Sequence, residues 1–452
     1  MRQHAFAIAL CALCAAATLP HALVMAQGAL PTRELALPAA EALLLDNNRE
    51  IRRARRAIEQ AEADIMIAGQ KPNPQLGVAL QNINRSRGIG AGGLRDKTVD
   101  TIVGVSQLIE RGGKAELRVA AAQSLADASR GDSGETVRTQ LLALRYAYYD
   151  TLAAQEKLVG AGANARLYEA SVAAATMRLR AGDLSGADVA RIRVDAARAR
   201  NDVTTVAAEL ARARLGLAVL IGAETDAAAL RAVSAWPPTD TAAPTDTSAP
   251  PSEDWVTRRP DVRAAAARVA AAVRLRDLAR SLRTRDISVS AQFEHWPVSD
   301  ANPAGSGNSF GVGIALPLFL RHSYEGEAAR AQADWYAARD EFDRIVALAH
   351  VEIARSRADL DAARERRNRI DSDLLPQARK SADAAEFAFR NGAIGVMDLL
   401  DARRTLRAIE IEATAARADH ARALAALRAG VEELPTAADA RPGTTWATEP
   451  KQ

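Results

Sequence analysis

Few side chains in this sequence are spaced for chemistry. Asp398 and Asp401 stand three apart in a helical pattern and so share one face. Two carboxylates placed that way add their fields and attract cations; the plainer alternative is that one caps the helix and the other is a surface charge. His295, His322, His350 and His420 are scattered, and Met66, Met177 and Met397 form no cluster, so no metal site is expected. Arg111-Gly112-Gly113-Lys114 lacks the spacing of a phosphate loop, and no nucleophile, base and orienting group fall together. The expectation is no enzyme, no catalytic residue and no cofactor.

The elements that position the two aspartates are helix hairpins, and there are two of them. Arg180-Ala181-Gly182-Asp183-Leu184-Ser185 and Arg390-Asn391-Gly392-Ala393-Ile394-Gly395 each end a long helical pattern at Arg-x-Gly. Glycine supplies the left-handed residue that closes a helix. Asp183, Ser185 or Asp188 can cap the next helix in the first copy, and Asp398 in the second. After each turn the apolar residues step by three and four: Val189, Ile192, Ala196, Ala199, Val203, Val206 and Leu210, then Leu399, Ala402, Leu406, Ile409, Ala413 and Ala416. This is a heptad seam in matching register, and its small residues allow close packing.

Composition agrees with long helices. The 452 residues are 48% hydrophobic and 25% charged but only 4% aromatic. The net charge of +3 is spread in mixed sign, which describes a solvated helix surface and argues against a nucleic-acid partner. Residues 1–26 read as a secretory signal, with Arg2 and His4 ahead of an apolar run and Val24-Met25-Ala26 at its end; an uncleaved anchor is the alternative. Cys11 and Cys14 lie inside it, each after a leucine rather than the small residue of a lipoprotein signal, so neither a lipid anchor nor a disulfide is expected. Beyond residue 26 no apolar run is long enough for a transmembrane helix.

The chain reads as two copies of one plan. Helix is expected over 38–70, strands over 75–83 and 99–109 joined by a Gly/Arg-rich stretch at 85–93, then helix over 114–180 and 186–221. A Pro/Thr-rich linker, 234–257, separates residues 27–233 from a second copy at 258–433, and a tail follows at 434–452. The second copy offers helix over 258–283, strands over 286–296 and 309–319, then helix to Arg390 and over 397–430. The long helices would reach roughly 100 Å, with bends near Gly160 and Gly162 in one and Pro376 in the other.

The strands alternate. Ile287, Val289, Ala291 and Phe293 oppose Ser288, Ser290, Gln292 and Glu294; Phe310, Val312, Ile314 and Leu316 oppose Ser309, Gly311, Gly313 and Ala315. A half-buried soluble sheet would show the same pattern. At about ten residues, with Phe293, Trp296, Phe310 and Phe319 near their ends, they also fit tilted membrane strands with an aromatic belt. Four membrane strands cannot close a barrel, so the chain must oligomerise; two copies would give eight strands, and three would give twelve with room for a conduit.

The Arg-x-Gly hairpins, Asp398-Leu399-Leu400-Asp401-Ala402-Arg403, the strand entry at Pro74 and the tandem helix-strand-strand-helix order resemble the TolC-like outer-membrane efflux proteins over essentially the whole mature chain. Glu110-Arg111-Gly112-Gly113-Lys114, Arg259-Pro260-Asp261, Phe293-Glu294-His295-Trp296-Pro297 and Pro317-Leu318-Phe319 look like the branch serving cobalt-zinc-cadmium pumps. The resemblance implies a mainly α protomer with a small β part that gives four strands to a trimeric twelve-stranded outer-membrane barrel. It also implies a long periplasmic helical barrel docked on a periplasmic adaptor and an inner-membrane proton-driven pump of the RND type. Asp398 and Asp401 match aspartates lining the periplasmic aperture. Arg180, Gly182, Leu184, Ser185, Arg390, Gly392, Ile394 and Gly395 match the adaptor-docking tips, where Leu184 and Ile394 would be exposed for a partner. The tyrosine and arginine that help latch the aperture in the family's best-known member fall here at Phe389 and Ile394. Channels for drug efflux or type I secretion, and a periplasmic adaptor or coiled-coil scaffold, are the competing readings.

Overall fold

The computed structural model describes residues 32–83, 99–240, 253–298 and 303–431. The signal segment with Cys11 and Cys14, the 85–93 stretch, most of the linker and the 434–452 tail lie outside the described residues.

A short strand β1 (Arg33–Leu35) leads into α1 (Leu37–Asn47) and α2 (Arg49–Gly69). The single helix expected over 38–70 is split because Asn48 is extended and takes four partners. Its Oδ1 accepts from the backbone N–H groups of Glu50 and Ile51, and its Nδ2 donates to Leu220 O at 3.0 Å and Gln140 Oε1 at 3.2 Å. A buried asparagine satisfied this fully is a strong N-cap.

The hairpin β2 (Gln75–Gln81) and β3 (Asp100–Ile109) follows. The chain then turns into α3 (Lys114–Arg180) through Gly112 and Gly113, both at positive φ, and a Cβ on Gly112 would lie 2.8 Å from Thr284. Lys114 Nζ, buried here, reaches Asp286 Oδ1 at 2.8 Å and Thr284 O at 2.9 Å, and Arg111 N also donates to Asp286. The base of the sheet is thereby tied across the two halves of the chain.

Helix α3 runs 67 residues, roughly 100 Å, without a break. The bend expected at Gly160 and Gly162 is not marked by any interruption of the helix. Gly160 instead makes room for a neighbour, since a Cβ there would meet Arg407 Nη1 at 2.6 Å. From the tip, α4 (Gly186–Ile221) returns along α3 to a 3-10 turn and β4 (Leu230–Ala232), which pairs in parallel with β1. Tyr148 is buried beneath this small pair; its hydroxyl donates to Leu35 O at 2.8 Å and accepts from Ser234 N at 2.9 Å. The start of the linker is packed too, with Trp236 stacked on Tyr149 and its Nε1 donating to Glu156 at 2.6 Å. At the far end α5 (Glu253–Arg258) buries Val256 among Ile353, Leu360 and Leu427.

The second half contributes α6 (Pro260–Ser281), β5 (Ile287–Trp296), β6 (Gly307–Ala315), α7 (Glu325–Arg369), α8 (Leu375–Arg390) and α9 (Val396–Val431). Between α7 and α8 the helix widens into one π-turn, Ile370–Leu374, with Leu375 N bonded to Ile370 O. Pro376, which lacks an N–H for the ladder, sits immediately after it, so the expected irregularity is present as a π-turn. β6 ends at Ala315, short of the expected 319, because Pro317 cannot continue the pairing.

The four longer strands form one antiparallel sheet in the order β2-β3-β5-β6, open at both edges among the described residues. Register places Leu76, Val78, Val103, Val105, Val289, Phe293, Phe310 and Ile314 on one side. Gly77, Gly104, Ser106, Ser290, Gln292, Glu294, Gly311 and Gly313 take the other. Phe293 and Phe310 touch on the apolar side at 5.2 Å. Trp296 corrects the expected belt: it shares the polar side with Glu294 and lies over Gly307, where a Cβ would be 2.7 Å from the indole. No helix among the described residues is long and apolar enough to cross a membrane.

Candidate functional site

Both hairpin tips are built by the same backbone device. At the first, Gly182 (φ 84°) donates to Leu179 O at 3.1 Å and Asp183 N to Arg178 O at 2.9 Å; at the second, Gly392 (φ 74°) donates to Phe389 O at 3.1 Å and Ala393 N to Ala388 O at 2.9 Å. These paired bonds satisfy the last carbonyls of a helix and reverse the chain. Nothing lies within 4 Å of a Cβ built on either glycine, so both turns stand open.

The restarts differ. Ser185 caps α4, its Oγ accepting from Asp188 N at 3.1 Å and donating to Asp188 Oδ2 at 2.6 Å. Gly395 has no side chain to cap α9, and Asp398 Oδ2 reaches back to Gly395 N at 3.3 Å. Arg180 and Arg390 are exposed, the latter bonded to Glu386. Leu184, expected to be exposed, is half-buried against the seam that holds Ala165, Tyr168, Val189 and Ile192, and Ile394 is half-buried as well.

Asp398 and Asp401 both point away from the packed seam, and Asp401 is 82% exposed, with Arg404 Nη1 3.9 Å away. Arg404 is committed elsewhere, donating to the buried Asp195 of α4 at 2.7 Å. The neighbouring Arg403 is buried, donates to Ser171 Oγ of α3 at 2.7 Å, and lies 3.4 Å from Glu386 of α8. Burial alone would raise the Glu386 carboxyl, but hydrogen bonds and charge from Arg390 and Arg403 outweigh it and hold it below its ordinary value. Arg178 covers the Phe389 ring at 5.1 Å. The second hairpin is thus tied to the first by Arg403, which the sequence offers only as part of a motif, and by Arg404, which it does not single out. The signal was an acid, Asp195, set between Ile192 and Ala196 on the seam side of its helix.

The histidines lie in separate surroundings. His295 Nδ1 lies 2.8 Å from Asn308, and His322 lies 3.0 Å from Glu327. His420 is buried, and its burial together with Arg367 and Arg364 pushes its pKa down to about 4, so it is neutral. Among the described residues no three His, Cys, Asp or Glu side chains converge on a common point.

The family model for outer membrane efflux proteins matches residues 42–223 and 253–431. The chain belongs to that family. It is an outer-membrane efflux channel of the kind that serves tripartite pumps, with a long periplasmic helical part, and not an enzyme. It is 27% identical over 387 residues to the cobalt-zinc-cadmium resistance protein CzcC of Cupriavidus metallidurans, covering 82% of this chain and 84% of that one. It is 26% identical over 399 residues to the pyoverdine export outer membrane protein OpmQ of Pseudomonas aeruginosa, covering 82% and 80%. The crystal structure of the Campylobacter jejuni CmeC outer membrane channel shares the fold at a TM-score of 0.74 and 16% identity, over 87% of this chain and 85% of that one.

Proposed function

We propose that three copies of this chain close a twelve-stranded barrel and a helical tunnel that export heavy-metal cations such as cobalt, zinc or cadmium across the outer membrane. The partners are a periplasmic adaptor and an RND-type inner-membrane pump. In this reading residues 27–233 and 258–433 are the two repeats, 234–257 the linker and 434–452 the tail. The tips at Arg180, Gly182, Leu184, Ser185, Arg390, Gly392, Ile394 and Gly395 meet the adaptor, and Asp398 with Asp401 rings the periplasmic aperture.

The edges of the protomer support ring closure. Helices adjoin in the order α2-α3-α6-α7 near the sheet and α4-α3-α9-α8 toward the tips. One side of the molecule therefore carries β2, α2 and α4, and the other carries β6, α7 and α8. Ile67 and Val219 are exposed on the first side, Val351 and Phe387 on the second. Unlike edges that match head to tail generate rings, and a bilayer does not tolerate unpaired strand edges.

The likeness to CzcC over most of both chains carries the metal cargo; the similar likeness to a pyoverdine exporter keeps a small-molecule cargo as the second reading. A deletion strain should become sensitive to cobalt, zinc or cadmium and be complemented by the intact gene. Sensitivity confined to drugs or bile salts would overturn the metal assignment. In bilayer recordings, Asp398→Ala with Asp401→Ala should reduce cation preference and block by divalent ions; unchanged selectivity would remove the aperture role.

A further inference from the structure

The apolar side of the sheet does not stop where its hydrogen-bond ladder stops. β6 pairs with β5 only as far as Ala315 opposite Ser288. The alternation of Phe310, Val312 and Ile314 nevertheless continues through Leu316, Leu318 and Leu320, and Leu318 and Leu320 are 67% and 85% exposed. The backbone turns sharply between them, with Leu320 N donating to Leu318 O at 3.0 Å. Phe319, at the centre of this turn, is held back against Tyr324 at 5.3 Å with the Arg285 guanidinium over its ring, also at 5.3 Å. Both leucines are left on the outside.

Charge frames this apolar tip. Arg321 follows Leu320 directly, and Arg285 precedes β5 by two positions on the same parity as Ile287; both are exposed, and neither is paired with a carboxylate among the described residues. The nearest acids along the chain are engaged, Asp286 by Lys114 at 2.8 Å, Glu325 by Ser323 at 3.0 Å and Glu327 by His322 at 3.0 Å. The turn lies at the end of the sheet where α3 and α7 begin, and so at the membrane leaflet facing the helical part.

We propose that this turn holds an anionic glycerophospholipid of that leaflet. Leu318 and Leu320 enter its acyl layer, and Arg285 and Arg321 bind the headgroup phosphate. The assignment rests on the membrane reading of the sheet and adds the headgroup class. Two observations select the occupant: exposed leucines extend the apolar run of β6 past the end of its ladder, and the arginines supply positive charge beside them.

The test is native mass spectrometry of the full mature chain, purified as its oligomer and offered phosphatidylglycerol or phosphatidylcholine. The expected result is preferential retention of phosphatidylglycerol, falling about fivefold for each arginine removed in Arg321→Gln and then in Arg285→Gln with Arg321→Gln. Leu318→Ser with Leu320→Ser should lower retention of both lipids and leave the oligomer intact. Equal retention of the two lipids by the unaltered protein, a preference undiminished by Arg321→Gln, or one that survives in Arg285→Gln with Arg321→Gln, overturns the proposal. Separation of subunits in the double serine variant also overturns it, by assigning the leucines to a neighbouring copy. A chain that stays monomeric and soluble without detergent would instead defeat the membrane reading itself.

Discussion

Glu352 of α7 is the most informative residue to perturb for stability. Its carboxylate is shared by two arginines from other helices, Arg138 of α3 at 3.0 Å and Arg259 at the start of α6 at 2.8 Å. Both guanidiniums are buried, Arg259 to 4% exposure. Each keeps one further acid: Glu135 for Arg138 and Asp261 for Arg259, both at 2.8 Å. Removing the carboxylate in Glu352→Gln leaves two desolvated cations facing each other across the junction of α3, α6 and α7. Breaking a fully buried ion pair costs about 3–5 kcal/mol. The Glu352 side chain is 41% exposed, so water screens part of this, and about 2 kcal/mol is the expected loss.

Thermal unfolding of the detergent-solubilised oligomer followed by helical circular dichroism should show a fall of roughly 2–3 °C, since the unfolding entropy scales with chain length. Glu341→Gln is the internal control. It removes an exposed partner of Arg344 three residues along the same helix, and should leave the midpoint unchanged. The acid limb gives a second check. Burial would raise the Glu352 carboxyl, but the charge of Arg138 and the hydrogen bond from Arg259 hold it below its ordinary 4.5. A carboxyl depressed in the folded state contributes stability that is present above the unfolded value and lost as pH falls through the folded one. The gap between wild type and Glu352→Gln should therefore be widest above about pH 5 and close on acidification. Equal midpoints for Glu352→Gln and Glu341→Gln, or a gap independent of pH, would refute the reasoning.

Three further outcomes are expected. Gly182→Val and Gly392→Val force a β-branched residue to positive φ at open turns; they should cost on the order of 1 kcal/mol each and abolish export while assembled channels remain in the membrane, checked by resistance assays beside outer-membrane immunoblots. Asp195→Ala leaves Arg404 without its buried partner and removes one of the two ties between the hairpins; single-channel conductance should rise, and an unaltered conductance would show that this tie does not hold the tips together. Gly311→Leu would drive a side chain into Gln292, whose Cγ lies 3.0 Å from the built Cβ, so it should narrow the barrel and lower conductance without changing the amount of channel in the membrane.

How much of this was legible depended on whether a residue acts on its own segment or on a distant one. The limits of α3 and α4 follow from Gly113, Gly182, Ser185 and Gly222, each of which ends or begins a helix by local geometry, and they agree with the expected 114–180 and 186–221. The strand faces were equally local, since alternation alone separates Phe310 from Gly311. Asn48 was only half so: its Oδ1 caps α2 through the adjacent N–H groups of Glu50 and Ile51, while its Nδ2 is held by Leu220 and Gln140, far along the chain. Trp296 was misassigned for a related reason: an aromatic at a strand end suggests a lipid belt, but parity with Glu294 decides its side, and Gly307 on the partner strand gives the indole its place. The pair at Arg403 and Arg404 was hidden most deeply. Both look like solvated charges of an Arg-rich helix, and only the packing of α9 against the α3–α4 hairpin brings them to Ser171 and Asp195. A heptad pattern states that a face is buried; which helix covers it, and therefore which buried acid an arginine will find, is a property of the assembled hairpins.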